Sequence, residues 1–291
     1  MLLVIESTLL ILGLTALIIA LISDIKTTEV PDYSNYFLIF SGISLRVLYS
    51  LISNDWSFTL TAVKVFPFIF ILALLMYYTK QWGGGDAKLL MGLSLAFATY
   101  PSFLKDVFNP ELIIDFPFVL FLNILIIGIF YSLIYAVFLT IKNYKKTFPS
   151  IKKFFKKNFK LIMSSGMLSL ILVLVSFFIN DKTMSFVLMT ISIMFLFLLI
   201  FYIFVKSIEE AIFIKTISIL KLREGDWIIT KIIKNGKTIH TPFQEVTKQK
   251  IDLLKRYKIK EVTIKEGVVF TPVFLIALII SLIFGNLFFI L

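Results

Sequence analysis

Runs of apolar residues separated by short polar stretches set the pattern of this chain. Four runs carry no charge and are long enough to cross a hydrocarbon core of about 30 Å, which takes about 20 helical residues: Phe116 to Ile141, Leu161 to Asn180, Thr183 to Val205 and Val268 to Leu291. Four more lie before them. Glu6, Arg46 and Lys64 interrupt the first three, and Ala87 to Leu104 is short, with its one charge, Lys88, at the start. Together they predict about eight transmembrane helices.

Between Lys206 and Gly267 the pattern changes to one that can fold in water. Asp226 to Ile233 and Thr238 to His240 flank Lys234-Asn235-Gly236-Lys237, an Asn-Gly turn that predicts a hairpin. Ile251, Leu254 and Tyr257 recur at helical spacing after Thr247, a residue suited to an N-cap, and Glu261 to Ile264 reads as a strand. The expected fold is therefore an all-α polytopic membrane protein with a small α/β module before the last helix. Its divisions are residues 1–140, a transmembrane domain; 141–160, a lysine-rich loop; 161–205, additional helices; 206–268, the module; and 269–291, the last helix.

Composition agrees on the solvent. The chain is 59% hydrophobic with 32 phenylalanines, its mean hydropathy is +0.96, and soluble domains hold about 45–50% apolar residues. The first apolar run lacks a basic n-region and a small-residue cleavage site, so it is expected to remain in the protein. Without cysteine there is no thiol nucleophile, disulfide or cysteine zinc site, and no metal or cofactor is expected.

Charge orients the spans. Eight lysines lie between Ile141 and Leu161, whereas the opposite short loops near Asp55, Lys105 and Lys182 carry two, which makes the lysine loop cytoplasmic. Counting outward from it puts Asp24, Asp86 and the 206–268 module on the cytoplasmic side of a multi-pass cell-membrane protein, with both termini outside. Phe148, Phe154, Phe155 and Phe159 among the lysines predict an amphipathic element on the leaflet, with membrane lipids as partners. The module has 14 basic and 8 acidic residues, a surface suited to an anionic leaflet; no nucleic-acid-binding motif is present. His240 is expected on the hairpin surface, and Glu6 is expected to pair with Arg46 or Lys64.

Two acids carry candidate chemistry. Asp86 follows Gly83-Gly84-Gly85 where an apolar helix begins, and Asp24 stands where the run Leu9 to Ile22 gives out. Taken singly, each has an ordinary structural reading, as a helix cap or as interfacial decoration. Taken together on one membrane face, they suggest a dyad that shares a proton, one carboxyl as base toward water and the other as acid toward a carbonyl. Glycines before Asp86 would admit a substrate backbone and unusual backbone angles. From the helix ends, Asp86 is expected to hold the negative charge and Asp24 the proton. Glu29 and Asp32, the other acids of the short cytoplasmic loops, are candidate contacts for a basic segment of substrate. An ion- or proton-coupled transporter, or a non-catalytic scaffold of an assembly machine, are the competing classes; no carboxylate at mid-membrane and no broken-helix repeat favours the transporter.

The flanking residues resemble the GxGD membrane aspartyl proteases, specifically the type IV prepilin peptidase and archaeal preflagellin peptidase group. Gly83, Gly85 and Asp86 fit the G-x-G-D element, and Ala87-Lys88-Leu89-Leu90 fits its D-x-K-L-L continuation. Asp24, followed by Val30-Pro31-Asp32, fits the first-aspartate element. The resemblance covers about residues 1–140, and Val269 to Phe274 after a late cytoplasmic domain looks like the archaeal branch. It implies that Asp24 and Asp86 are catalytic, with Gly83 and Gly85 beside the substrate. The implied activity is cleavage of a short basic leader from pilin-like or archaellin-like precursors. Members that also N-methylate typically carry a four-cysteine insert; its absence here implies peptidase activity alone. Presenilin-like members place their first aspartate in a Tyr-Asp pair of a late span, unlike Ser23-Asp24.

Overall fold

A computed structural model describes residues 1–234, 236–242 and 244–287. In chain order the helices are α1 (Leu2–Thr27), α2 (Asp32–Ser53), α3 (Ser57–Tyr78), α4 (Gly84–Ala96), α5 (Ser102–Phe108), α6 (Phe116–Lys142), α7 (Tyr144–Lys157), α8 (Phe159–Ser176), α9 (Lys182–Ile208, continued by a π-helical turn Glu209–Phe213), α10 (Lys248–Arg256) and α11 (Thr271–Phe284). The strands are β1 (Ile214–Ser218), β2 (Trp227–Ile228), β3 (Ile232–Lys234), β4 (Lys237–His240), β5 (Gln244–Glu245) and β6 (Glu261–Lys265). The described residues divide into two compact units, 1–132 with those from Gly267 on, and 133–266.

Helices dominate, with a small strand-containing module, as the pattern predicts. The number of long spans differs. Among the described residues six helices are long and apolar enough to cross a membrane, namely α1, α2, α3, α6, α8 and α9 with its π turn. The expected spans at Ala87 and Val268 are shorter: α4 has 13 residues and α11 has 14. At 1.5 Å per residue each measures about 20 Å, less than the hydrocarbon core. Pro101 stands at the N-cap of α5 and stops the α4 run from continuing to Leu104. Thr271 and Pro272 start α11 three residues later than the apolar pattern does, and residues 288–291 of that expected span lie outside the described residues.

In the first unit, α4 is wrapped by its neighbours. Ala87 and every residue from Leu89 to Ala96 are buried, and Leu89, Leu90, Leu93 and Ala96 share one core with Leu17, Ala20, Leu38, Ile69, Phe274 and Leu278 of α1, α2, α3 and α11. Gly42 lets α2 approach: a Cβ there would stand 3.0 Å from the Ala96 nitrogen and 3.1 Å from the Leu95 carbonyl carbon. The far end of α4 is held by Arg46. Its Nε donates to Leu95 O (2.8 Å), and its two terminal nitrogens donate to Phe58 O (3.0 Å), Ala96 O (3.2 Å) and Thr99 Oγ1 (3.3 Å). The guanidinium also lies 4.0 Å over the Phe58 ring. The expected ion pair of Glu6 with Arg46 or Lys64 is not formed among the described residues. Glu6 Oε2 instead accepts Ser102 N (2.9 Å) and Ser102 Oγ (2.6 Å), capping α5.

In α11, polar contacts fix both ends to elements of the same unit. Tyr131 Oη donates to Val269 O (2.9 Å), Tyr100 Oη to Leu282 O (2.7 Å), and Asn123 Nδ2 to Ser281 Oγ (2.8 Å) and Gly285 O (2.7 Å).

In the second unit, the lysine-rich stretch is the amphipathic helix α7, and α8 packs on α9. The module is an antiparallel sheet in the order β1-β6-β2-β5 with a separate β3-β4 hairpin. The stretch expected as one strand from Asp226 to Ile233 is split into β2 and β3. Asn235 of the expected turn lies outside the described residues, and Gly236 adopts φ 70°. Thr247 caps α10, its side chain accepting from Lys250 N, and Ile251 and Leu254 join Ile228, Val262 and Ile264 in the module core. His240 is not on the surface: it is 1% exposed, and burial pushes its imidazole below the usual range. Its strand neighbour Ile239, which points to the opposite face, is buried as well.

Candidate active site

Asp24 belongs to the last turn of α1, which ends when Thr28 turns into the left-handed region at φ 58° and returns its N–H to Asp24 O at 2.8 Å. The side chain is 4% exposed. Its Oδ2 accepts three hydrogen bonds, from Phe270 N (3.0 Å), Thr271 N (3.1 Å) and Thr271 Oγ1 (2.9 Å). Those amides are the unpaired donors at the start of α11, so Asp24 sits at the C-terminus of one helix and at the N-terminus of another.

Asp86 occupies the first turn of α4, with Gly83 at the N-cap. It lies outside the six long apolar helices. Burial pushes its carboxyl up to about 7, the nearby charge of Asp24 adds to the rise, and a backbone hydrogen bond at Gly83 opposes it. The two acids are thus close enough to couple. The positive end of α4 favours an anion on Asp86 and loss of water opposes it. Three donors converge on one oxygen of Asp24.

The glycines serve packing rather than unusual angles, since none of Gly83, Gly84 and Gly85 has a positive φ. A Cβ on Gly85 would fall 2.8 Å from Val30 Cβ, so the α4 start can meet the Val30 segment only as glycine. A Cβ on Gly83 would make an ordinary 3.7 Å contact with Asp86 Oδ2. Beside them Trp82 is 6% exposed and packs on Phe270 and Phe274, with ring centroids 6.0 and 5.3 Å away.

Asp32 Oδ1 is 2.6 Å from Lys88 Nζ, which ties the start of α2 to the start of α4. Glu29 is exposed. Four further residues, none of them given a role from the sequence, shape the site. Thr271 and Phe270 hold Asp24, and Lys88 holds Asp32. The fourth is Asn35, fully buried, whose Nδ2 donates to Gly85 O (3.1 Å) while its Oδ1 has no partner among the described residues. The sequence signal at Asn35 is a polar residue within an apolar run, and at Thr271 a Thr-Pro pair inside the Val269–Phe274 stretch. Among the described residues no three histidine or carboxylate side chains gather as a metal site would require.

Residues 11–137 match the model of the Type IV leader peptidase family. A preflagellin peptidase of Methanococcus maripaludis is 29% identical over 140 residues, 46% of this chain and 57% of the relative. A preflagellin peptidase of Methanococcus voltae is 31% identical over 137 residues, 45% of this chain and 56% of the relative. A prepilin peptidase, EppA, of Methanothermobacter thermautotrophicus is 28% identical over 144 residues, 47% of this chain and 37% of the relative. The chain thus spans about half the length of the preflagellin peptidases it matches and about a third of EppA. No solved structure matches. Asp24, Asp86 and the glycines all fall in the matched segment, whereas Thr271 lies beyond it. Over residues 11–137 the chain is thus similar to the Type IV leader peptidase family.

Proposed function

We propose that this protein is a membrane-embedded aspartic endopeptidase that removes the short basic leader of type IV pilin-like or archaellin precursors at the cytoplasmic membrane face, without N-methylation. One observation carries the reading: Asp24 in the last turn of α1 and Asp86 in the first turn of α4 are near enough for the charge of Asp24 to raise the Asp86 carboxyl, within a segment that matches leader peptidases. The names of the relatives support the substrate class. The lysine asymmetry of the loops supports the cytoplasmic face, and the absence of cysteine supports peptidase activity alone.

In the mechanism, Asp24 is the base and Asp86 the acid. Asp24 takes a proton from water as the water oxygen bonds to the scissile carbonyl carbon. Asp86 gives its proton to the carbonyl oxygen, and a tetrahedral diol forms. On collapse the C–N bond breaks, Asp24 returns its proton to the leaving nitrogen, and a diol hydroxyl returns one to Asp86. Each carboxyl ends as it began. Gly83 leaves room beside Asp86 for the substrate chain, whereas Gly85 lets Val30 pack against the start of α4. Glu29 and Asp32 offer negative charge to the leader, Asp32 while sharing its charge with Lys88. The lysines of α7 meet lipid headgroups rather than the leader, which they would repel.

Membranes holding the protein, incubated with precursors bearing a basic leader before an apolar helix, should release the leader at a single bond mapped by mass spectrometry. Intact precursors after prolonged incubation would contradict the reading.

A further inference from the structure

Taking the peptidase reading as its basis, we infer that Thr271 is a positioning residue of the catalytic pair, and that the start of α11, outside the family-matched segment, completes the active site. Thr271 is fully buried, and its hydroxyl donates to Asp24 Oδ2 at 2.9 Å alongside two backbone amides at 3.0 and 3.1 Å. All three bonds fall on one oxygen. Oδ1 takes none of them, so the cluster fixes the carboxylate's rotation and leaves the second oxygen to receive the proton of water.

The rest of the unit keeps that donor set in place. Tyr131 ties Val269, and Asn123 and Tyr100 tie the other end of α11. Trp82, the residue before Gly83, packs on Phe270 and Phe274, so the loop carrying Asp86 and the helix end holding Asp24 share one aromatic contact. Thr271 brings no group that titrates and touches no reacting atom. It acts through Asp24.

The test is steady-state kinetics of leader cleavage by the full chain carrying Thr271→Ser, Thr271→Cys or Thr271→Val, with Asp24→Asn and Asp86→Asn as references. Serine keeps the hydroxyl, cysteine is a weak donor and valine is a shape match with no donor. A hydrogen bond to a charged group is worth about 1.5–3 kcal/mol, so Thr271→Val should lower kcat about 10- to 100-fold. KM should change less than about twofold, Thr271→Ser should stay near wild type, and Thr271→Cys should fall between. If the valine variant fails to insert, the Ser-to-Cys step in kcat still decides. Wild-type kcat in the cysteine and valine variants, a loss confined to KM, or equal losses in all three would overturn the assignment. Cleavage by Asp24→Asn and Asp86→Asn at the wild-type rate would instead sink the peptidase dyad itself.

Discussion

Arg46 Nε donates to the Leu95 carbonyl at 2.8 Å, at the end of α4 opposite Asp86, although 49 residues separate the two in sequence. Through this contact and that with Ala96 O, a buried cation satisfies carbonyls that end a helix too short to reach water. Arg46→Met should therefore lower stability in detergent by about 2–5 kcal/mol, since buried acceptors left unsatisfied cost about 1–3 kcal/mol each. Chemical unfolding measures it. A loss below about 1 kcal/mol would mean that the end of α4 finds other donors.

The two motif glycines should differ on substitution. Gly85→Ala sets a methyl 2.8 Å from Val30 Cβ, while Gly83→Ala adds only a 3.7 Å contact. The first should reduce both thermal stability and cleavage, and Val30→Ala should restore part of each. The second should cost about 1 kcal/mol or less, as for alanine at an N-cap. Melting curves of the three variants decide, and an equal penalty at both glycines would contradict the packing account.

Asp86 sets a pH limit. Burial raises its carboxyl from the ordinary carboxylate range to about 7, so between about pH 4 and 7 the folded protein binds a proton that the unfolded chain has released. That contribution to stability is complete below about pH 4 and is lost as pH rises through about 7. The proton is also the one the mechanism gives to the carbonyl, so kcat/KM should decline above about pH 7. A rate profile flat to pH 9, or an Asp86→Asn protein with the same pH-dependent melting as wild type, would contradict this.

Glu29 is exposed, and its contact with a basic leader should be weak. Glu29→Gln should raise KM about 1.5- to 5-fold for basic leaders, matching the 0.2–1 kcal/mol typical of exposed pairs, and the difference should vanish at high salt. Neutralising the leader's own charges should remove it as well. Unchanged discrimination between basic and neutral leaders would rule out the docking role.

Local signals in the sequence located local structure. Thr247 followed by Ile251 and Leu254 marked α10 and its cap, Glu261 to Ile264 marked β6, and the long uncharged run from Phe116 marked α6. The positions of Asp24 and Asp86 at helix ends were legible for the same reason. The donors to Asp24 were not, because they come from Thr271 and Phe270, 247 and 246 residues away. Arg46 and Glu6 looked like a mutual pair, since opposite charges in apolar runs suggest each other; carbonyls at the end of α4 and the Ser102 amide were invisible to that logic. His240 sat in a short strand whose inward face cannot be told from its outward face over four residues.

The dyad is tested most directly by measuring leader release from one precursor, by mass spectrometry, with wild type, Asp24→Asn and Asp86→Asn at matched levels of inserted, folded protein. Both single variants should lose cleavage by at least about 1,000-fold, because either leaves the water without a base or the carbonyl without an acid of the right kind. Cleavage at the same bond and rate in either variant would contradict the account.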